Sequence, residues 1–452
     1  MSRQSIPLSE LLIACSQCLA DIEHGRSLTE ALAKVPDDKR PATQAVSTYA
    51  LRHWGLAKAW RSQALKTRPK DRWLHSHIAL SLLLLDAALL HDDPAITASW
   101  QAPLGADCPR YTPYTLVDQA VQAVSKQVSG KYAVGLLNAI LRRFQRERDS
   151  FIAAVATDTV AQWNHPKWWI ALVQNAYPQS WQDILQAAQV PPRLVLRVNQ
   201  RTATVAQVLT AFKEAGQPAQ WLGEQAIMLE QPAVVTSLPG YGQGWWSVQD
   251  ISAQVAVPLL PLNCGDRVLD ACAAPGGKTS HILERSDVVL TALDHDAKRL
   301  ALVARNLERL KLASTTHRLI AADARDLSNW WDGRAFNAIL ADVPCTASGV
   351  VRRHPDIAWL RRESDLSNPV KLQREILDAL WSTLAVGGHL LLVTCSVFPA
   401  EGEMQAQAFM KRHADAVRLT APGQRLPESP GTQSLSGQDG FFYALFQRLK
   451  KS

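Results

Sequence analysis

The chain has 452 residues and a mass of 49.8 kDa, a length that corresponds to about two to four domains. Hydrophobic residues make up 47% and charged residues 20%, which excludes a largely disordered chain. The formal net charge is +7, and residues 1–150 carry 19 basic against 14 acidic side chains. This excess favours an anionic partner, of which nucleic acid is the commonest.

Membrane and secreted proteins are disfavoured by three further features. The most apolar run, Ile78 to Leu90, is too short to span a bilayer and predicts a buried helix. The first residues have no apolar stretch followed by a cleavage site. The seven cysteines form an odd, sparse set, which is typical of a reducing compartment. We therefore expect a cytoplasmic protein, with no ligand cluster that indicates a metal.

Residues 1–150 predict helices throughout, with Leu74 to Leu90 apolar nearly all round and therefore central in a bundle. Basic residues are concentrated in two places. The stretch 41–70 has six of them and no acidic residue, with Trp54 and Trp60 in their midst; the second group is Arg142, Arg143, Arg146 and Arg148. Two interpretations stay open for these charges, a solvated helix face and a surface that follows RNA or DNA phosphates.

Residues 151–245 mix an alternating strand, Arg193 to Asn199, with a helix, Val205 to Ala215, and predict a small α/β module with a linker. From 246 onward strands alternate with helices, which predicts a parallel, doubly wound α/β sheet. The strand candidates are 267–271, 288–293, 317–321, 335–340 and 389–394, and the helix candidates are 279–284, 297–312 and 372–384.

Carboxylates stand at the ends of four successive strand candidates, at Asp270, Asp294, Asp323 and Asp342. One such Asp is usually a helix cap, but four along one sheet edge imply a nucleoside-bearing ligand, and an acid after the second strand suits ribose hydroxyls. A turn with two glycines follows the first strand; its residues are Cys272, Ala273, Ala274, Pro275, Gly276, Gly277 and Lys278. This turn lacks the first glycine of a phosphate loop, which counts against an NTPase.

Two cysteines follow the last two parallel strands, Cys345 after Asp342 and Cys395 after Thr394. A thiolate that adds to C6 of a pyrimidine makes C5 able to accept an electrophilic methyl group, and Asp342 is suited to stabilise the charge that develops on the ring. Because the thiol of free cysteine is mostly protonated at neutral pH, such a site must favour the thiolate. The residues alone leave open which cysteine attacks.

The motifs Asp270–Thr279, Asp294, Asp342–Cys345 and Thr394–Ser396 together resemble those of the S-adenosylmethionine-dependent RNA cytosine-C5 methyltransferases. Further matches are 248–254, 352–356 and 439–443, so the resemblance covers about 245–452. The helical N-terminus, through 131–143, resembles a NusB-type RNA-binding domain. The combination is similar to bacterial enzymes that methylate the small-subunit rRNA.

The resemblance implies a Rossmann-like class I methyltransferase domain at 246–452, preceded by an all-α NusB-like RNA-binding domain at 1–150 and a small α/β RNA-positioning module at 151–245. It implies S-adenosyl-L-methionine as cofactor, with Cys272 to Lys278 lining it, Asp294 on its ribose, Asp323 near its adenine and Asp342 touching cofactor or target base. Cys395 would attack C6, and Cys345 would assist product release.

The implied partner is 16S rRNA, with no DNA, no membrane and a monomeric chain. Two alternatives remain open at this point. One is the same chemistry on a tRNA or on another rRNA site, and the other is a catalytically silent assembly or antitermination factor that binds rRNA.

Overall fold

The computed structural model describes residues 6–93, 108–128, 131–429 and 437–450. The chain forms two compact units. The first extends to Pro191 and also includes Val351–Glu363, whereas the second comprises Pro192–Val350 and the chain from Ser364 onward.

Seventeen α-helices and eleven strands are numbered in chain order within the described residues. The helices are α1 Leu8–Glu23, α2 Leu28–Leu32, α3 Arg40–Arg52, α4 Trp54–Ala64, α5 Arg72–Asp92, α6 Pro113–Gln127, α7 Lys131–Val155, α8 Thr159–Trp163, α9 Lys167–Ala176, α10 Trp181–Ala187, α11 Val205–Glu214, α12 Ile251–Leu259, α13 Gly277–Arg285, α14 Ala297–Arg309, α15 Ile357–Leu360, α16 Ser367–Ser382 and α17 Glu403–Arg412. The strands are β1 Val195–Val198, β2 Ala219–Gly223, β3 Ala226–Leu229, β4 Trp246–Val248, β5 Arg267–Ala271, β6 Val289–Asp294, β7 Arg318–Ala321, β8 Phe336–Asp342, β9 Leu384–Thr394, β10 Ala416–Arg425 and β11 Phe441–Arg448.

The first unit is helical, as predicted, and α5 is its central helix. Asp71 caps α5, since its carboxylate accepts a hydrogen bond from the Leu74 N–H at 2.8 Å. Among the described helices only α5 is long and apolar enough to cross a membrane, and 83% of its most apolar stretch is buried inside the fold. Its apolar surface therefore packs against neighbouring helices of the bundle, chiefly α1, α4 and α6.

Part of the predicted basic surface lies in the core of the helical unit. Trp54 and Trp60 are buried, as are three of the basic side chains, Arg52, Arg61 and Arg148. Arg61 pairs with Glu23 at 3.0 Å, and Arg148 pairs with Asp86 at 2.6 Å. These arginines satisfy buried carboxylates and are not available to a phosphate. The exposed basic residues of the two groups are Lys66, Arg68, Lys70, Arg142, Arg143 and Arg146.

The stretch Val351–Glu363 packs within the helical unit although it follows β8 in sequence. The Asp356 carboxylate accepts a hydrogen bond from the Leu28 N–H at 2.9 Å, and the Trp359 indole N–H donates to the Leu51 carbonyl at 3.3 Å. The Lys58 ammonium lies 3.6 Å from the centre of the Trp359 ring. Burial lowers the pKa of Lys58 to about 8.

The second unit contains a small antiparallel sheet with the strand order β2-β3-β1-β4. Helix α11 covers it and starts at a capping box, in which the Thr204 and Gln207 side chains each accept from the other residue's backbone N–H. Val198, Phe212 and Trp246 form part of the core between helix and sheet. This agrees with the small α/β module predicted from the sequence.

A seven-stranded sheet with the order β10-β11-β9-β8-β5-β6-β7 forms the rest of the second unit. The five strands β5 to β9 are parallel, as predicted, but β11 runs antiparallel to β9 and β10 antiparallel to β11. The expectation of a wholly parallel sheet was therefore wrong at this edge. Pro422, Gly423 and a bulge interrupt the alternation of β10, so its sequence gives no clear strand pattern.

Helices cover both faces of this sheet. One face packs against α12, α13 and α14, and the other against α16 and α17. Strands β5, β8 and β9 are almost entirely buried as a result, which explains their continuous apolar sequences. The carboxyl ends of β5 to β9 all meet at one edge, where a doubly wound sheet binds its ligands.

Candidate active site

The glycine-containing turn after β5 has two residues in the left-handed region. They are Cys272, at φ 62°, and Gly276, at φ 100°. A Cβ on Gly276 would lie 3.1 Å from a methyl carbon of Val303, so both the backbone conformation and the space require glycine. The turn is held by the Gly276 N–H, which donates to the Ala273 carbonyl at 2.8 Å, and it leads directly into α13.

Cys272 is half-buried within this turn. Burial raises the pKa of its thiol, and the carboxylates of Asp342 and Asp294 add to the effect. A thiol in this environment stays protonated at neutral pH. Cys272 therefore lines the turn and is not a nucleophile.

Asp294, the last residue of β6, is buried and faces the turn. Its carboxylate accepts hydrogen bonds from the Ala274 N–H and the Asp296 N–H, both at 3.0 Å. Asp323, two residues beyond β7, is partly exposed and pairs with Arg325 at 2.6 Å, an ion pair that the sequence analysis missed. The side-chain hydrogen bond from Arg325 lowers the pKa of Asp323.

Lys278 and Asp342 form an ion pair with an N···O distance of 2.6 Å. The sequence analysis assigned Lys278 to the cofactor turn and Asp342 to the cofactor or the base, and the fold brings the two side chains together. Burial alone would lower the pKa of Lys278, but the negative charge and hydrogen bond of Asp342 outweigh it and raise that pKa. The ammonium therefore stays charged beside the carboxylate.

Cys345 and Cys395 lie side by side, with 3.4 Å between their sulfur atoms. They follow the neighbouring parallel strands β8 and β9, whose ends are in register at Asp342 and Val393. The Gly349 N–H donates to the Cys395 carbonyl at 2.9 Å and joins the two turns. The hydrogen bond to Cys395 and then burial raise the pKa of Cys345 well above its ordinary value.

Asp270 is fully buried within β5, beneath the turn. One carboxylate oxygen accepts from the Thr279 hydroxyl at 2.6 Å, and the other has no hydrogen-bond partner among the residues that the structure describes. Burial raises the pKa of Asp270 to about 7, a rise to which Asp342 contributes. This is a carboxyl group that takes up a proton near neutral pH.

Two polar residues around the site were missed by the sequence analysis. Arg197, in β1, is buried and donates to the Gly277 carbonyl at 2.7 Å and to Glu284 at 2.8 Å, so it fixes the start of α13. Glu401, in a short turn between β9 and α17, is buried beside the two cysteine turns. The only sequence signal for Glu401 was an acidic residue within an otherwise buried stretch.

The remaining matched motifs lie in both units. In the second unit, Asp250 accepts from the Ser252 N–H at 2.8 Å and the Asp439 N–H at 3.2 Å, and the Tyr443 hydroxyl donates to the Ser252 carbonyl. In the first unit, the Arg352 carbonyl accepts from the Arg52 guanidinium at 3.0 Å. These motifs join chain segments that are far apart in sequence.

Two family models match the chain. Residues 257–447 match the model described as 16S rRNA methyltransferase RsmB/F, and residues 165–236 match the ferredoxin-like domain of RsmF/B-like methyltransferases. A protein of Citrobacter koseri named ribosomal RNA small subunit methyltransferase B is 37% identical over 436 residues, 94% of this chain and 95% of that protein. The protein of the same name from Vibrio cholerae serotype O1 is 41% identical over 345 residues, 75% of this chain and 78% of that protein.

A solved structure, that of PH0851, aligns with 98% of this chain and all of its own, at a TM-score of 0.74 and 22% identity. A second, a methyltransferase homologue from Pyrococcus horikoshii, covers 65% of this chain and 98% of its own, at a TM-score of 0.54 and 25% identity. The first of these shows that the fold extends over nearly the whole chain.

Proposed function

This chain belongs to the RsmB/F family of ribosomal RNA small subunit methyltransferases, and from that membership we propose that it transfers a methyl group from S-adenosyl-L-methionine to C5 of a cytidine in 16S rRNA through a covalent adduct between Cys395 and C6. The coarser statement, that it is an RNA methyltransferase, follows from the family. The cofactor, the atom methylated and the adduct are the proposal.

The 3.4 Å separation of the Cys345 and Cys395 sulfur atoms is the observation that carries the mechanism. A single cytosine ring placed against both sulfurs also lies near Asp342, three residues before Cys345. Addition of the Cys395 thiolate to C6 moves an electron pair towards N3 and O2, where a hydrogen-bonding acid stabilises it, and C5 becomes nucleophilic. Once C5 is methylated, loss of its proton returns the electron pair and expels the thiolate.

The two cysteines differ in their suitability as nucleophile. Because the pKa of Cys345 is raised well above its ordinary value, that residue stays a thiol at neutral pH. This supports Cys395 as the attacking residue and leaves Cys345 to assist release of the product. Asp342 holds Lys278 beside the ring site, so positive charge stands near the developing negative charge.

The residues around the turn fit S-adenosyl-L-methionine, which supplies an electrophilic methyl group when it is bound. Cys272 to Lys278 would line it, and the conformation of Gly276 opens the backbone to a ligand. The unpartnered oxygen of buried Asp270 provides an acceptor of the kind that the ammonium group of the cofactor needs. Asp294 would hold the ribose, since each oxygen bonded to a backbone amide keeps a second lone pair, and Asp323 would lie near the adenine.

The helical domain, residues 1–150, would bind the RNA, and the module at 151–245 would help to position it beside the methyltransferase domain at 246–452. The exposed arginines of α7 support this role. The target cytidine must be unpaired or flipped out to reach the two sulfur atoms. The same chemistry on another RNA is the alternative that the experiment below separates.

The test is bisulfite sequencing of 16S rRNA from cells with and without this gene, complemented by single cysteine variants. Cys395→Ala should abolish both methylation and covalent capture of RNA. Cys345→Ala should leave enzyme on RNA as a denaturant-resistant adduct. Cys264→Ala is the matched control, because Cys264 is exposed and lies before β5, and it should behave as wild type.

Three outcomes contradict parts of the proposal. The opposite pattern in the two variants would reverse the roles of Cys345 and Cys395. Unchanged 16S rRNA with a lost 5-methylcytosine in tRNA would replace the substrate. Wild-type protein that binds rRNA but transfers no methyl group would leave the assembly-factor alternative.

A further inference from the structure

We propose that Glu401 is a positioning residue that holds the two cysteine turns in the relative placement needed for attack on the base; this inference rests on the proposed function. Glu401 itself touches neither sulfur in the contacts described below. It acts through the residue that follows each cysteine, Thr346 and Ser396.

The Glu401 carboxylate connects these two turns directly. One of its oxygens accepts from the Thr346 N–H at 2.8 Å, and the other accepts from the Thr346 hydroxyl at 2.5 Å and the Ser396 hydroxyl at 2.6 Å. Glu401 is fully buried, and so are Thr346 and Ser396. A buried carboxylate is costly unless donors satisfy it, so the positions of these donors are strongly coupled to that of the acid.

A second layer of hydrogen bonds extends the clamp to the rest of both turns. The Ser348 hydroxyl lies 2.9 Å from that of Ser396 and accepts from the Val397 N–H at 2.9 Å. The Ser396 hydroxyl also accepts from the Phe398 N–H at 3.0 Å. Two chain segments separated by about fifty residues are thereby held together by side chains immediately next to the two sulfur atoms.

The consequence for the chemistry is geometric. Two cysteines serve one pyrimidine ring only if both sulfurs keep their distance from each other and from C6, and misplacement by about 1 Å can cost about 100-fold in rate. Each cysteine is bonded to a residue that Glu401 holds, so loss of the carboxylate frees both turns at once. The cofactor turn after β5 has no part in this network and should be unaffected.

The experiment measures covalent capture of RNA by full-length protein in the Cys345→Ala background, together with cofactor affinity and methyl transfer in the wild-type background. Glu401→Ala should slow adduct formation roughly 10- to 100-fold and lower kcat similarly. The Kd and KM for S-adenosyl-L-methionine should stay within about twofold. Glu401→Gln keeps an acceptor for the Thr346 N–H and offers an amide group to both hydroxyls, so it should restore most of the rate.

Glu403→Ala is the matched control, since Glu403 lies two residues away, is partly exposed and pairs with Arg418 at 2.7 Å. Its adduct formation should equal that of the parent. If Glu401→Ala does not fold, Thr346→Val and Ser396→Ala each remove one hydroxyl of the clamp, and each should slow capture.

Unchanged capture by Glu401→Ala, or by both hydroxyl variants, would overturn the proposal. So would a parallel loss of cofactor affinity, since that indicates general disruption of the fold. Absence of capture by the Cys345→Ala parent itself would instead contradict the proposed function, so the two failures are distinguishable.

Discussion

Arg197 and Glu284 form an ion pair 2.8 Å long in which neither side chain is exposed by more than 1%. The pair joins β1 of the small antiparallel sheet to α13, the helix that follows the cofactor turn. Burial raises the pKa of Glu284, against the influence of Arg197. The carboxylate therefore depends on its partner to stay charged.

Arg197→Met should destabilise the protein by about 3–5 kcal/mol, because it leaves the Glu284 carboxylate buried without its cation. The double variant Arg197→Met with Glu284→Met should recover part of that loss. Urea unfolding of the full chain measures both. Asp287→Asn, which removes an exposed pair with Arg201, is the control and should cost at most about 1 kcal/mol. Equal losses in Arg197→Met and the control would refute the buried coupling.

Gly276→Ala should lower the free energy of unfolding of the cofactor-free protein by about 1–2 kcal/mol or more, because a side chain is strained at φ 100° and meets Val303. Gly277→Ala is the comparison. A Cβ there would meet only the Gln249 amide nitrogen, at an ordinary 3.6 Å. Thermal or urea unfolding distinguishes them, and equal stability of the two variants would contradict the backbone argument.

The Asp270 carboxyl should make stability fall as the pH rises through neutrality. Its pKa is raised to about 7 in the folded protein from an ordinary value near 3.8, so the folded state binds the extra proton between these values. The destabilisation is absent below about pH 4 and complete above about pH 7. Asp270→Asn removes this penalty and should gain stability relative to wild type between pH 5 and pH 8, on the order of 2–4 kcal/mol.

Melting curves of the wild type and of Asp270→Asn, recorded across that pH range, test this prediction. The difference in melting temperature should widen with rising pH. A constant difference would mean that the carboxyl has an ordinary pKa in the folded protein.

Replacement of Arg142, Arg143 and Arg146 by Gln should weaken RNA binding and make it less dependent on salt. If all three contact phosphates of single-stranded RNA, the slope of log K against log salt should fall by up to about 2. Filter binding at several salt concentrations measures the slope. Arg305→Gln, an exposed charge on α14, should leave it unchanged. An unaltered slope in the triple variant would assign these arginines to solvation.

The sequence could predict the parts of the fold that local pattern determines. Strand β5 begins and ends where the apolar run predicts, and α14 starts at Ala297 as expected. The carboxylates and cysteines at the carboxyl ends of β5 to β9 follow from the same logic, because parallel strands bring those ends to one edge. Whether these residues act as proposed is a separate matter that the variants above address.

Side-chain pairing across long sequence separations could not be predicted in this way. Arg197 stands in a polar position of an alternating strand, which by itself indicates exposure to solvent, yet it is buried by α13. Arg148 and the tryptophans of α4 appeared in a basic stretch but belong to the core. Helical position and charge do not reveal which face a tertiary neighbour covers.

The return of Val351–Glu363 to the helical unit means that the backbone passes between the two units three times. A single cut after Pro191 would separate α2 and α4 from the peptide that supplies Asp356 and Trp359. The helical unit is thus not a detachable module that a genetic truncation or fusion transfers intact. Its history and that of the methyl-transferring unit are tied by a peptide that begins directly after the turn of Cys345.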